Sequence, residues 1–234
     1  MQSKTILITG ISRGIGKHLA IAFSKAGWNV CGCYKNDKPD YVLKNSKFIQ
    51  ADVCVYDDVK KLVTTTIGEY GSIDSLINNA GISNPSTILK MSNNEWSSVI
   101  NTNLTGVFYT TKEVLKVLSK RRKSGSIINI VSIRAFTAFI GSANYSTSKA
   151  GLIAFTKNLS IEAGHFGITA NAVLPGFHLT NMGNNASDSY IKKVKEESVL
   201  NTTTDIKEFT DFIIFLSGLK TVSGQVFNFD SRLI

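Results

Sequence analysis

Short runs of aliphatic and β-branched residues alternate along almost the whole chain with longer stretches whose apolar residues recur at helical spacing. Lys4–Thr9, Asn29–Tyr34, Phe48–Ala51, Asp74–Asn78, Ser126–Val131, Thr169–Leu174 and Gln225–Phe229 read as strands. Gly14–Ala26, Asp57–Tyr70, Glu95–Leu118, Ala143–Gly164 and Lys207–Leu216 read as helices, the third with a break near Thr105 and Gly106. In the second, Val59, Leu62, Val63 and Ile67 mark one apolar face. Strands that are apolar nearly throughout are buried on both faces, and strands joined by helices run parallel. The pattern restricts the chain to the α/β class: one domain over residues 1–234, a doubly wound parallel sheet of about seven strands with helices on both faces. In such a sheet ligands bind where the strands end at their carboxyl side. The segments that carry chemistry should lie there.

The 234 residues are 43% hydrophobic and 18% charged, enough to fill one large core. No stretch approaches the roughly 20 apolar residues that span a bilayer. The apolar run Thr5–Thr9 is too short for a signal peptide and leads straight into a glycine loop, so a cytoplasmic location is expected. Cys31, Cys33 and Cys54 lack metal-ligand spacing, and the first two share one side of a strand as small packing residues. His18, His165 and His178 are scattered, and no metal is expected. The net charge of +9 favours acidic partners. Its densest cluster, Lys120-Arg121-Arg122-Lys123, has no interleaved aromatic residues, which argues against nucleic acid. A solvated helix end accounts for it, and so does a docking patch for an acidic protein.

The first strand meets the first helix at Thr9-Gly10-Ile11-Ser12-Arg13-Gly14-Ile15-Gly16. Glycines let a backbone turn tightly against a pyrophosphate, and a helix N-terminus offers free N–H groups and positive potential. Further on, Tyr145 and Lys149 are spaced to share one face of a helix, with Ser132 upstream at a strand end. A phenol with a pKa of about 10 is a weak acid at neutral pH, and a neighbouring ammonium is expected to lower that value. Tyr145 is thus a candidate proton donor and acceptor.

Taken in order, the glycine loop, Asn78-Asn79-Ala80-Gly81, Ser132, Tyr145-x-x-x-Lys149 and Pro175-Gly176 resemble the short-chain dehydrogenase/reductase family, a Rossmann-type fold, from about Lys4 to Phe229. The resemblance implies that Tyr145 protonates a carbonyl oxygen as a nicotinamide hydride arrives. It implies that Lys149 lowers the Tyr145 pKa and holds the nicotinamide ribose, and that Ser132 donates to the substrate oxygen. Asn103, in Asn103-Leu-Thr-Gly-Val-Phe108, falls where the family has its fourth catalytic residue and would fix a proton-relaying water. The implied cofactor contacts are Gly10, Ser12, Arg13, Gly14, Ile15 and Gly16 at the phosphates, and Asp52 and Val53 at the adenine. Asn79, Ala80 and Gly81 would lie along the adenosine ribose, with Pro175, Gly176 and Thr180 at the nicotinamide end.

The second strand runs into Tyr34-Lys35-Asn36 without an acidic residue at its end, so Lys35 and Arg13 can pair with a ribose 2′-phosphate and NADP(H) is expected. Asp37 is the rival acidic position, about twenty residues beyond the loop. Pro175-Gly-Phe-His-Leu-Thr-Asn-Met182 is similar to the corresponding segment of 3-oxoacyl-acyl-carrier-protein reductases, which act in fatty acid biosynthesis. That likeness implies reduction of a 3-oxoacyl thioester by NADPH, with Lys120, Arg121, Arg122 and Lys123 meeting an acidic carrier protein. Other readings are a carbonyl reductase or alcohol dehydrogenase for a free small molecule, and a non-catalytic nucleotide-binding scaffold. The chain departs from the carrier-protein group at Phe166, at Ser198–Asp205 and at Phe229-Asp230-Ser231-Arg232. A polar lid is expected at about 181–199. The family likeness implies a homotetramer, with Glu95–Leu118 and Ala143–Gly164 at one interface and the last strand at another.

Overall fold

The computed structural model describes residues 3–121, 124–178 and 187–232. Its centre is a seven-stranded sheet in the order β3-β2-β1-β4-β5-β6-β7. The strands are β1 (Thr5–Thr9), β2 (Asn29–Tyr34), β3 (Ser46–Gln50), β4 (Ser75–Asn78), β5 (Gly125–Ile130), β6 (Ile168–Leu174) and β7 (Val226–Asn228), and every neighbouring pair is parallel. The chain builds outward from β1 to β3 and then returns to the other side of β1 at β4. The crevice above the ends of β1 and β4 is therefore the switch point at which such sheets hold ligands.

Alternation along the strands divides the core in two. Ile6 and Ile8 point to one face, where Leu19 and Phe23 of helix α1 (Gly14–Lys25) and Phe209 and Ile213 of helix α7 (Ile206–Gly218) cover them. Leu7 points to the other, under α2 (Tyr56–Tyr70), α4 (Gly106–Arg121) and α5 (Ala143–Gly164), which contribute Leu62, Val114 and Leu159. Each fully buried aliphatic or Phe side chain contributes about 1.5–3 kcal/mol, and this double burial is why the strands read as continuous apolar runs. Burial pushes the thiols of Cys31 and Cys33 up to about 11 and about 12, so both serve as packing residues at neutral pH.

Two elements differ from expectation. The expected break at Thr105 and Gly106 is a change of winding instead: α3 (Asn93–Ile100), opened by a Ser92–Glu95 capping box, passes through a π-helical turn, Asn101–Thr105, into α4 without leaving helical geometry. Within the expected lid, α6 (Asp188–Glu197) is a helix that periodicity did not reveal, because Val194 alone among its residues is buried. Ser187 caps its start by accepting the Tyr190 N–H at 3.3 Å. Its far end is latched to the C-terminal segment, where Ser198 and Arg232 form an antiparallel bridge. The Arg232 guanidinium pairs there with Asp230 and lies 3.9 Å from Glu197. The departure from the carrier-protein reductases at residues 229–232 thus fastens α6. No helix is long and apolar enough to cross a membrane among the described residues.

Candidate active site

The floor of the crevice is a dry polar network. Asn78 and Asn129, opposite one another on β4 and β5, are joined by an Asn78 Nδ2–Asn129 Oδ1 bond of 2.8 Å. Asn78 also donates to Thr111 at 3.0 Å and accepts from Thr110 at 2.6 Å, while Asn129 donates to Thr156 at 2.8 Å. All five side chains are at most 2% exposed, so the network ties two strands to α4 and α5 immediately below the site.

Above β1 the glycine loop is shaped by close approach. Gly10 has φ of +72°, and a β-carbon there would lie 2.8 Å from the Ala80 Cα. A β-carbon on Gly16 would lie 2.0 Å from the Gly10 carbonyl oxygen. Gly14 and Ile15 begin α1, Arg13 precedes it in extended conformation, and neither a side-chain cap nor an acidic residue covers that N-terminus. The bare N–H groups and the glycine cradle fit a pyrophosphate. Asn79, expected with Ala80 and Gly81 along the adenosine ribose, engages its side chain within the protein. Its amide donates to the Thr9 and Gly10 carbonyls at 3.0 and 2.9 Å, clamping the loop to the end of β4. Thr9 completes the clamp, its hydroxyl accepting the Asn79 and Ala80 N–H groups, both at 3.0 Å. A hydroxyl ending a strand just before a glycine loop was the available signal for Thr9.

The four residues expected to be catalytic converge beyond β4 and β5. Tyr145 and Lys149 share a face of α5, with the Lys149 ammonium 5.7 Å from the Tyr145 ring centre. Lys149 is 5% exposed and donates to the Ile130 carbonyl at 2.8 Å. Burial alone brings its pKa down to about 8. The Tyr145 pKa moves upward, against expectation. Burial raises it, and this outweighs the opposing hydrogen bond to Ser132 and the positive charge of Arg134. A phenol taken out of water stays protonated at neutral pH and is a weaker acid than in water. Ser132 is fixed in turn, its Oγ accepting the Arg134 N–H at 3.2 Å. Asn103 is fully buried on the π-helical turn. It accepts the Ile82 N–H at 2.9 Å and donates to the Ile82 carbonyl and Ser148 Oγ at 3.0 and 3.1 Å. Gly81 lies between: a β-carbon there would be 3.2 Å from Asn103 Oδ1 and 3.7 Å from Lys149 Nζ.

At the rim, the two cations expected at a 2′-phosphate are already paired. Lys35 Nζ lies 2.8 Å from Asp52, the residue expected at the adenine. Burial opposes ionisation of Asp52, but Lys35 and the Cys54 N–H hold its carboxyl below the usual carboxylate range. Arg13 faces the rival residue Asp37 at 3.6 Å, both largely exposed. Ser12 turns its hydroxyl to the Asp37 carbonyl at 2.5 Å. An exposed pair such as Arg13–Asp37 is worth about 0–1 kcal/mol, so a phosphate can displace it. Val53 is buried, its side chain packed where a β-carbon on Gly106 would be 2.8 Å away. Past β6, Pro175 is buried, and Thr204 fills the space where a Gly176 side chain would stand. Thr180, Arg122, Lys123 and the Arg121 side chain lie outside the described residues, as does the start of the lid. Lys120 is exposed. An apolar cleft of about 400 Å³ opens beside Ser146, walled by Ile88, Leu89, Phe139 and Ile140.

The model of the short chain dehydrogenase family matches residues 4–191. The chain is 36% identical to a 3-oxoacyl-(acyl-carrier-protein) reductase FabG of Staphylococcus epidermidis, over 95% of this chain and 96% of the relative. It is also 36% identical to a 3-oxoacyl-(acyl-carrier-protein) reductase of a Synechocystis species, over 100% of this chain and 98% of the relative. Among solved structures, a variant of actinorhodin polyketide ketoreductase with NADPH superposes with a TM-score of 0.91 at 28% identity, covering 99% and 98% of the two chains. ElxO with NADP bound gives 0.89 at 28% identity, covering 98% of each.

Proposed function

Because the chain belongs to the short chain dehydrogenase family, we propose that it is an NADPH-dependent reductase of 3-oxoacyl thioesters. The observation that carries the reading is the placement of the Tyr145 phenol: half-buried beside Ser132, with the buried Lys149 ammonium 5.7 Å from its ring centre on the same helix. When bound, NADPH supplies the hydride. The glycine cradle and the bare N-terminus of α1 would hold its pyrophosphate, with Arg13 and Lys35 turning from their carboxylates to the 2′-phosphate. Ser132 would orient the ketone oxygen, and Tyr145 would give that oxygen its proton. Hydrogen-bond donors held in place toward a developing alkoxide are worth about 3–4 kcal/mol of barrier. Lys149 would restore a proton to Tyr145 and grip the ribose, since an amine with a pKa of about 8 exchanges protons readily near neutral pH. Asn103 would position the relay. Its amide hydrogens are taken by Ile82 and Ser148, which supports a holding role.

Likeness to 3-oxoacyl-(acyl-carrier-protein) reductases supports a thioester carried by an acyl carrier protein, and Lys120 belongs to the basic segment that would meet it. One observation favours a free small ketone instead. Phe166 stands 46% exposed where carrier-protein reductases commonly have a basic docking residue. A homotetramer working in the cytoplasm, with a lid at about 181–199, completes the proposal. The test is NADPH oxidation with acetoacetyl thioester, comparing the wild type with Tyr145→Phe. A loss of about 10³-fold in kcat is expected, and unchanged turnover ends the assignment.

A further inference from the structure

Arg134 is a cation beside the site that neither the sequence motifs nor the proposed reaction uses. It lies in the short 3-10 turn Ile133–Ala135, and its N–H bond to Ser132 fixes it relative to the hydroxyl that meets Tyr145. Its guanidinium is 4.0 Å from the ring centre of Phe139, a wall of the apolar cleft. One nitrogen donates to the Tyr190 hydroxyl at 3.3 Å, and the Tyr190 ring meets Phe177 at 5.6 Å. Arg134 thus bridges the catalytic segment and the first turn of α6.

A guanidinium is a rigid planar fork of several donors suited to carbonyl and carboxylate oxygens. Among the described residues Arg134 has no acidic partner, and its side chain makes no hydrogen bond besides that to Tyr190. The remaining donors of this half-buried fork are not among the buried unpartnered atoms, so they stand open to an incoming oxygen. The Arg134 backbone nitrogen stands 3.2 Å from the Ser132 hydroxyl expected to meet the ketone oxygen, and the residue's positive charge opposes the upward shift of the Tyr145 phenol. A substrate whose ketone oxygen meets Ser132 and Tyr145 would bring a second oxygen, one methylene away, onto the side where Arg134 stands.

We propose that Arg134 is a specificity-determining residue that binds a second carbonyl or carboxylate oxygen of the substrate, one methylene from the ketone, and so selects β-dicarbonyl substrates over plain ketones. The inference rests on the ketone-reductase reading and narrows it. A thioester carbonyl and a free carboxylate share this chemistry, and the assay separates them.

The full chain is assayed with NADPH on acetoacetyl-coenzyme A, acetoacetate and butanone, as wild type, Arg134→Met, Arg134→Lys and Tyr190→Phe. Losing a charged hydrogen bond should raise KM for the thioester by about 10- to 100-fold in Arg134→Met, well beyond any change on butanone, which feels only the loss of positive charge near the Tyr145 phenol. Lys should restore part of the loss. Tyr190→Phe, which breaks the brace and leaves the fork, should keep the discrimination. Equal losses on butanone and the thioester, or loss of discrimination in Tyr190→Phe, would reduce Arg134 to a brace for α6 and overturn the inference while leaving the reductase reading intact. A response confined to acetoacetate would uphold the inference and overturn the thioester. A wild type that prefers butanone, or reduces none of the three, would overturn the inference together with the reading beneath it.

Discussion

Replacing Lys149 by methionine should make the protein more stable and nearly inactive. Lys149 is 5% exposed, and burial takes its pKa from the ordinary 10.5 to about 8. The folded chain therefore holds the ammonium about 3 kcal/mol less favourably than water does. Its folded value lies below its unfolded value. Below pH 8 both states carry the proton and the whole cost is present. Between about 8 and 10.5 the unfolded chain binds more protons, so stability rises with pH across that window. Lys149→Met keeps most of the apolar stem and removes the charge, but gives up the bond to the Ile130 carbonyl, worth about 1 kcal/mol. The net gain at pH 7 is about 2 kcal/mol, or about 5 °C in Tm for a chain of this size. By about pH 9.5 most of the wild-type cost has gone and the two proteins should unfold at similar urea concentrations. Urea unfolding by circular dichroism at both pH values, without nucleotide, measures this directly, and NADPH turnover should fall by about 10³-fold in the same variant. A variant less stable than wild type at pH 7, or a gain that does not change with pH, would refute the reasoning.

Asp37→Asn releases Arg13 from its 3.6 Å partner and should lower KM for NADPH by up to about 5-fold with little effect on NADH; an unchanged NADPH KM would mean that Arg13 lies off the phosphate. Lys35→Asp should move preference toward NADH, read as the ratio of kcat/KM for the two nucleotides. Asn129→Ala strips Asn78 and Thr156 of a buried partner and should cost about 2–4 kcal/mol in urea unfolding; a cost under about 0.5 kcal/mol would contradict a dry network.

The sheet was legible because both of its faces are covered: β2 has the expected bounds, Asn29–Tyr34. Helix α6 was not, since a helix with one buried residue has almost no apolar period to read. Motif spacing brought Ser132, Tyr145 and Lys149 together correctly. It misjudged the phenol, because spacing conveys proximity to a charge and says nothing of desolvation, the larger effect at Tyr145. The intramolecular partners of Asn79 and Lys35, namely Thr9 with Gly10 and Asp52, are distant in sequence and become visible once β1 is paired with β4 and β2 with β3.

The π-helical turn at Asn101–Thr105 is the shape that one extra residue takes when a helix must absorb it without breaking. One residue corresponds to about 100° of rotation, so the turn sets α3 and α4 on different azimuths within one helical rod. Deleting Thr102 would let residues 93–121 wind as a regular helix, at no loss of backbone hydrogen bonding. It would also swing Asn103 away from Ile82 and Ser148. The length of this segment is therefore a functional parameter in its own right: a shortened chain could fold and still be out of register with its own chemistry.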